Sequence, residues 1–548
     1  MLNIKSAYFY FLALKINFIK FFKKAYFTTN FYNRSLESQI PKNFYFFPNP
    51  TLLSSFTSNN NFSHKISNID QNNFWDQKKT KKEEINLNNF LWLNLVDRKN
   101  QSSLIRKIIS LWIQKNKSYT PAIWESSVAS KRIISWIFNA EIILNSSNFT
   151  FKNEFLESLI IQINHLKKNF RFERDGIKKI EILTSIYLSG LVFKDYEVNI
   201  SFSLKELEKL IKEFFDENGF PLSKNPNDLL VYSKYFVLIK ESTKDSQNFI
   251  PSFLDEIIER NLKCLKKITT PEDKLPLFNG STDQNLDNYF TYLKNLNIKL
   301  KNSKDLVGGI YVLKEKSETI FFDVNAPPQK NYSSTYQSGP LSFEYFFEKQ
   351  KIITNCGYGI NISKKALLLS KLTSAQSSLC INDTSVVKFE RSRILNRAFG
   401  VSLKNNFKIS DIKLEENDNE IKVFASHDAY LKKFGYRHKR EIIMDKNNNC
   451  IYGNDYMIND KNVNSVNYSI HFHLYPGIEA IKTRGGNSIL IQFKKNKSLV
   501  FSSNKQNINV EKSVFLGGNK ILNNFCIVIS GKLISNRETI NWDIKKNI

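Results

Sequence analysis

The chain has 548 residues, 41% of them apolar and 14% aromatic, which is too long for one ordinary domain and enough to fill two large cores. A net charge of +27 favours polyanionic partners such as acidic polysaccharide, nucleic acid or an anionic membrane, although lysines spread over solvated faces give the same sum. Cys264, Cys356, Cys380, Cys450 and Cys526 show neither Cys-x-x-Cys spacing nor the density of a disulfide scaffold, and read as buried free thiols.

Residues 1–88 read as an irregular lead-in headed by an amphipathic helix. The opening MLNIKSAYFYFLALKINFIKFFKK has an apolar core interrupted by Lys15 and Lys20, with no small-residue cleavage site behind it, so it is not a clean signal peptide. Lysines beside Phe, Ile and Leu suit a helix in peripheral contact with anionic membrane. No stretch is apolar enough over sufficient length to span a bilayer, and the cell envelope, periplasm and cytoplasm all stay open as locations. From Asn30 to Leu87 no period is sustained; Phe44 to Pro48 are expected to tuck against the next domain. The Lys78 to Lys82 run lacks interleaved aromatic platforms, so no nucleic-acid partner is expected. His64, in this lead-in, and His165 need no functional explanation.

Over residues 89–302 the apolar period becomes helical. Leu104, Ile108, Leu111 and Trp112 share one face, as do Ile133, Trp136, Ile137, Ala140 and Leu144, and then Phe155, Leu159 and Leu166. Ser203 and Glu206 spell a capping box and predict a helix start there. Further helices are expected from near Asn227 to Ile239 and after Pro251. Short loops with no intervening strands fit helical hairpins in an incomplete toroid, and equally a generic bundle. Trp112, Trp124 and Trp136 are candidates to stack on sugar rings, against the commoner role of Trp at helical spacing as core.

Over residues 303–548 the grammar switches to strands. Gly309–Leu313 and Thr319–Val324 flank a charged turn. Leu341, Phe343 and Tyr345 then alternate with more polar neighbours. Later runs are Lys422–Ala425, Tyr436–Met444 with an Asn447–Asn449 turn, Ser469–Leu474, Ser488–Phe493, Ser498–Ser502 and Phe525–Ile529. Many short strands at regular spacing predict an antiparallel sandwich. His471 and His473 share one strand face at a spacing two metal ligands could use, but no third ligand follows from spacing, which favours packed histidines. His427 and Tyr430 lie in a turn before a strand, where they face a groove as a proton-shuttling pair, or else His427 and Asp428 merely cap the turn.

Several of these segments resemble the heparinase II/III family. Leu341-Ser-Phe-Glu344 is similar to its Leu-Ser-Phe-Glu strand, Asn355-Cys-Gly357 to the end of the partner strand, and Thr373 to Leu379 to its Thr-Ala-Ala-His segment. Trp124 to Trp136 resembles its Trp-containing basic helix, Asp216 to Pro226 its loop ending in Asn-Pro, Leu277-Phe-Asn-Gly280 its Leu-Phe-Asn-Gly turn, and Ser426 to Arg440 its His-Asp-Gly-Tyr signature with a trailing His-x-Arg. The resemblance extends over most of the chain after Asn89. It implies a two-domain α+β fold, an incomplete (α/α) toroid followed by an antiparallel β-sandwich.

The resemblance also implies a polysaccharide lyase that acts by β-elimination on an acidic, uronate-containing glycan such as a glycosaminoglycan. Yet family histidines correspond here to Thr335, Gln337 and Gln376. Neutral amides are poor zinc ligands and a threonine cannot shuttle protons near neutral pH, so the family's zinc is expected to be absent and no cofactor is expected. Candidate catalytic residues are Tyr232, Tyr430 and His427; Tyr235 is a further groove candidate. Candidate substrate-binding residues are Asn225, Thr335, Gln337, Asn355 and Gln376. The Tyr that some members carry just after the Asn-Pro loop corresponds to Asp228. The competing expectation is a catalytically impaired glycan-binding or envelope-assembly protein that keeps the fold.

Overall fold

The computed structural model describes residues 4–57, 74–75, 80–98, 100–145, 147–302, 305–448, 450–459, 465–494, 497–505 and 507–546. His64, Lys78, Lys79, the 303 boundary and Asn449 lie outside these residues.

The helical half is built from hairpins whose starts are fixed by side-chain caps. Asp175 accepts from the Ile177 and Lys178 amides to open the helix Gly176–Val192, and Asn225 accepts from the Asn227 amide to open Pro226–Asp245, with Pro226 in the first turn. The helices Ser126–Phe138 and Phe149–Asn169 pack on Gly176–Val192, and Val198–Phe214 and Ser252–Ile268 complete the series. Ser203 does not start a helix: it is buried inside Val198–Phe214, where packing overrides the local cap signal. The capping box that does form is Thr80 with Glu83, which opens Lys81–Asn88 in the stretch expected to be irregular.

The tryptophans are core. Trp112 and Trp136 meet edge to face with centroids 5.3 Å apart, both fully buried, and Trp124 is 2% exposed, so none offers a sugar platform. Arg132 stacks on Trp112 and donates to Gln162 Oε1 at 2.6 Å and to the Asn88 carbonyl at 2.8 Å, which satisfies most of a charge buried among aromatics. The lead-in closes this domain: Phe44 packs on Phe193, and the Tyr45 amide donates to the Val192 carbonyl.

Among the described residues the second half forms two antiparallel sheets, of nine and eight strands. The first runs from Leu306–Val307 through Ile310–Glu315, Glu318–Asp323, Phe343–Phe347 and Gln350–Thr354 to Val466–Leu474, Leu522–Leu533 and Ile508–Phe515, with Leu379–Ile381 against Val466–Leu474. The second runs from Glu479–Lys482 through Ser488–Lys494, Lys497–Ser503, Arg537–Lys546, Cys450–Asn459, Tyr436–Asp445 and Glu420–His427 to Ile409–Glu416. One apolar core lies between them.

The strands Glu318–Asp323 and Phe343–Phe347 are buried on both faces, where the alternating sequence predicts one wet face. The cause is the helical domain: Phe278 packs with Ile310, Val312, Phe321 and Phe346 on the outer side of the sheet. Glu344 is thereby buried, and pairs with Lys351 at 3.0 Å while accepting from the Thr354 hydroxyl at 2.9 Å. Further bonds join the domains, from the Asp283 amide to the Gly517 carbonyl at 2.9 Å and from the Tyr332 hydroxyl to the Glu213 carbonyl at 2.9 Å.

Candidate functional site in the interdomain cleft

A small cleft of about 120 Å³ opens where the two domains meet, and its lining includes Arg174, Gly176, Ser223, Asp228, Tyr232 and Thr335. Helix starts build its helical wall. The loop that Asn225 caps presents Asp228 in the first turn of Pro226–Asp245, and Tyr232 follows one turn later on the same face. The Tyr232 hydroxyl lies so close over Gly176 that a Cβ there would meet it at 2.0 Å. Only glycine at 176 leaves room for the phenol in the cleft floor.

Asp228 is the most perturbed carboxyl in the cleft. Burial pushes it up to about 7, against the Ser223 hydroxyl, which donates to it at 2.6 Å, and with help from the negative charge of Asp175. The Asn225 amide donates to its other oxygen at 3.1 Å. Burial, then the fields of Asp228 and Asp175, hold the Tyr232 phenol well above its usual range, so it stays protonated. Arg174, which is exposed, is the one cation among the described lining residues.

The sandwich contributes Thr335. A Cβ on Gly280, which has φ +102°, would lie 2.6 Å from Thr335 Cβ and 3.0 Å from Asn225 Nδ2, so Asn225, Gly280 and Thr335 meet at one point of the junction. The Thr335 hydroxyl is buried without a hydrogen-bond partner.

Behind Thr335 runs a strip of amides. Gln337 accepts from the Gly280 amide at 3.0 Å and donates to the carbonyls of Gly357 at 3.1 Å and Ser370 at 2.7 Å. Gln376 donates to the same Ser370 carbonyl at 2.8 Å. Asn355 donates to the Leu277 carbonyl at 3.2 Å and accepts from the Ser377 amide at 2.9 Å. The structure thus brings Asn225, Thr335, Gln337, Asn355 and Gln376 into one continuous strip. All three of these sandwich amides are buried and satisfied by main chain, and Gln337 and Gln376 aim N–H donors at one oxygen. That arrangement does not fit a metal ion, which needs converging lone pairs.

The remaining sequence candidates lie elsewhere. His427 does not face a groove: it ends the strand Glu420–His427, fully buried, with Nε2 3.1 Å from His438 Nδ1, and its Nδ1 accepts from the Ala429 amide at 3.3 Å, which is the turn-capping role. Burial, then His438 and Arg440, drive His427 well below its usual range. His438 in turn lies 2.6 Å from Asp455, which also receives Arg440 Nε at 2.7 Å and the Trp542 ring N–H at 2.9 Å. Tyr430 donates to the carbonyls of Leu379 at 3.1 Å and Thr384 at 3.2 Å, and so ties the strand Leu379–Ile381 of the first sheet and the turn after it to the end of the strand Glu420–His427. Tyr235 bonds Glu181 inside the helical core. His473 contacts the Ser374 carbonyl at 2.9 Å and Ser513 at 3.1 Å, stacked beside His471, and burial lowers it to about 4. Among the described residues no group of His, Cys, Asp and Glu could hold a metal ion.

Asp228 and Arg174 are the cleft groups that sequence reasoning missed as site residues. Asp228 corresponds to the Tyr that some family members carry after the Asn-Pro loop, which is the signal that pointed to this position, and the opposing sandwich loop turns it into a cleft floor.

Residues 300–543 match the family model described as Heparinase II/III-like, C-terminal. Among curated proteins none matches the chain in sequence. Among solved structures, the fold is similar to that of heparan sulfate lyase HepC from Pedobacter heparinus, at 14% identity and a TM-score of 0.61 over 93% of this chain and 84% of that one. It is likewise similar to the heparinase III BT4657 gene product, at 13% identity and a TM-score of 0.66 over 91% and 83%. A third structure, named heparinase III, aligns at 16% identity with a TM-score of 0.66 over 86% and 77%.

Proposed function

With residues 300–543 being a heparinase II/III-like C-terminal domain on a chain that folds like the polysaccharide lyases, we propose that this protein is a lyase of acidic, uronate-containing glycans whose proton transfers run through Asp228 and Tyr232 instead of imidazoles. The observation that carries this reading is the Asp228 carboxyl, raised to about 7 in the floor of the interdomain cleft. A base is most effective when its pKa lies near the working pH, and this carboxyl is half ionised near neutrality.

β-Elimination removes the proton α to the uronate carboxyl, forms the C4–C5 double bond and expels the glycosidic oxygen at C4. In this cleft the Asp228 carboxylate takes the C5 proton, Arg174 neutralises the uronate carboxylate so that the carbanion-like state is stabilised, and the protonated Tyr232 phenol gives its proton to the leaving oxygen. Thr335 lines the cleft beside Asn225, with its hydroxyl buried behind the surface a sugar would meet. Gln337, Asn355 and Gln376 shape this wall through the main chain and hold no zinc.

A second reading, a glycan-binding or envelope-assembly protein that keeps the fold without turnover, is favoured by one observation. The amides at 337, 355 and 376 have become structural staples, and the buried imidazoles of the sandwich lie among packed side chains rather than among the cleft residues. Absorbance of the unsaturated uronate product, followed over a panel of acidic glycans, decides between the two. The lyase reading expects product from at least one glycan and a loss of about a hundredfold or more in Asp228→Asn. Glycan-selective binding with no product, unchanged in Asp228→Asn, decides for the second.

A further inference from the structure

The helix Ile4–Phe27 carries five lysines and no acidic residue. One face is spent on the protein. Ala13 and Ile16 are buried, Asn17 donates to the Ile394 carbonyl at 2.8 Å, and Lys20 donates to the Arg397 carbonyl at 3.0 Å. Phe9 meets Phe399 edge to face at 6.1 Å and lies under the Lys330 ammonium at 4.7 Å. At the other end Phe27 stacks on Tyr32 at 4.5 Å and packs beside His165. The helix therefore rests on the sandwich through the short helix Arg393–Phe399 and on the helical domain through Tyr32 and His165, spanning the junction.

The opposite face is open to solvent among the described residues. Tyr8, Phe11, Leu14, Phe18, Phe21 and Phe22 are 52% to 69% exposed and follow a spacing of three and four residues, which sets them in one stripe. Isolated exposed apolar side chains are ordinary, but a continuous aromatic stripe on an anchored helix is not. Its surroundings are basic: Lys15 and Lys24 are exposed on the same helix, and Arg393 and Arg397 lie on the short helix beneath it. Aromatic and aliphatic side chains flanked by cations, on a helix that has no acid of its own and has Glu173 near Lys20 and Lys23, complement the interface of an anionic bilayer, where rings enter the acyl boundary and ammonium groups meet headgroups. No helix of the described residues is long and apolar enough to cross a membrane, so the geometry is that of a helix lying in the interface plane.

We propose that the exposed face of Ile4–Phe27 docks the protein onto the surface of an anionic lipid membrane. Asn331, next to Lys330, lines the interdomain cleft, as does Arg174, one of the groups whose field reaches Lys20. Docking through this helix holds the cleft beside the bilayer and restricts it to glycans displayed at that surface.

The test is flotation of the full chain with vesicles of phosphatidylcholine alone and with phosphatidylglycerol added, comparing wild type with Phe11→Asp/Phe18→Asp. Both positions are exposed, so folding should be unchanged, and the thermal midpoint confirms it. The expected result is co-flotation with the anionic vesicles only, and a fall in partitioning of more than about tenfold in the variant. Absence of wild-type flotation, or equal partitioning of the variant, overturns the proposal. So does a lipid-free dimer in sedimentation that the variant abolishes, which would assign the stripe to a second copy of this chain. None of these outcomes bears on turnover in the cleft.

Discussion

Two buried polar clusters lie close together in the sandwich domain and have opposite characters. At the domain junction Gln337, Asn355 and Gln376 are neutral, and their amides bond the main chain. Inside the sandwich His427, His438, Arg440 and Asp455 form a charged chain, and Arg440 reaches out to the carbonyls of Leu341 and Ser377 at 2.9 Å. The imidazoles are therefore enclosed where nothing can reach them, while the cleft wall is built on amides. Side-chain type alone does not make a proton shuttle; access and partners do. In this protein the cleft carboxyl that burial raises is Asp228.

The largest break in this comparison should come from the charged cluster. Burial alone would raise Asp455, but Arg440, with the His438 bond, holds it well below the carboxylate range. Asp455→Ala strips the counter-charge from a guanidinium with no exposed surface and leaves the Trp542 N–H unpaired. The expected loss is about 3–5 kcal/mol in denaturant unfolding of the sandwich domain, since the cost is that of an uncompensated buried charge. A loss under about 1 kcal/mol would mean that Arg440 is solvated.

The neutral cluster should break more gently. Gln337→Ala orphans the Gly280 amide at the junction and removes two donors from carbonyls, so it should cost about 2–3 kcal/mol by the same measurement. It should also loosen the approach of Thr335 to Asn225.

The cleft carboxyl sharpens the comparison through pH. Asp228 is raised in the folded chain from 3.8 to about 7, so the folded state holds a proton that the unfolded chain has released. Its contribution to stability is fully present below about pH 4 and is lost as pH rises towards about 7. Asp323 and Glu318, also raised to about 7 by burial, slope the same way and remain in the variant. Asp228→Asn should therefore flatten the decline between pH 4 and 7 in part, by about 1–2 kcal/mol, because solvent in the cleft screens part of the shift. An unchanged slope would show that the carboxyl titrates normally.

Much of this was legible in the sequence. Asn225-Pro226 announces a capped helix, and the alternating runs on either side of the Asn447 turn announce a hairpin. That hairpin also held an unused signal: its register places Arg440 opposite Asp455, and His438 two residues from Arg440 shares the face, so the charged chain could have been read from strand pairing. The two-sided burial of Phe343–Phe347 could not, because it depends on Phe278 of another domain. The position of Asp228 was signalled by its match to the family's Tyr after the Asn-Pro loop, but its burial was not, because that depends on a helix start meeting the Thr335 loop.

The finest test concerns the strip itself. Gln337 and Gln376 donate to the same Ser370 carbonyl, at 2.7 and 2.8 Å. Gln376→Ala alone leaves that oxygen satisfied by Gln337, so it should cost only about 0.5–1 kcal/mol. With Gln337 already alanine, the same change strips Ser370 of both side-chain donors and leaves a buried carbonyl to pay full desolvation. The double-mutant cycle should therefore show a coupling of about 0.5–1 kcal/mol, with the pair worse than the sum. Exact additivity would mean that the two amides act independently, and that the resemblance to a shared ligand shell has left no physical trace in how this junction is held.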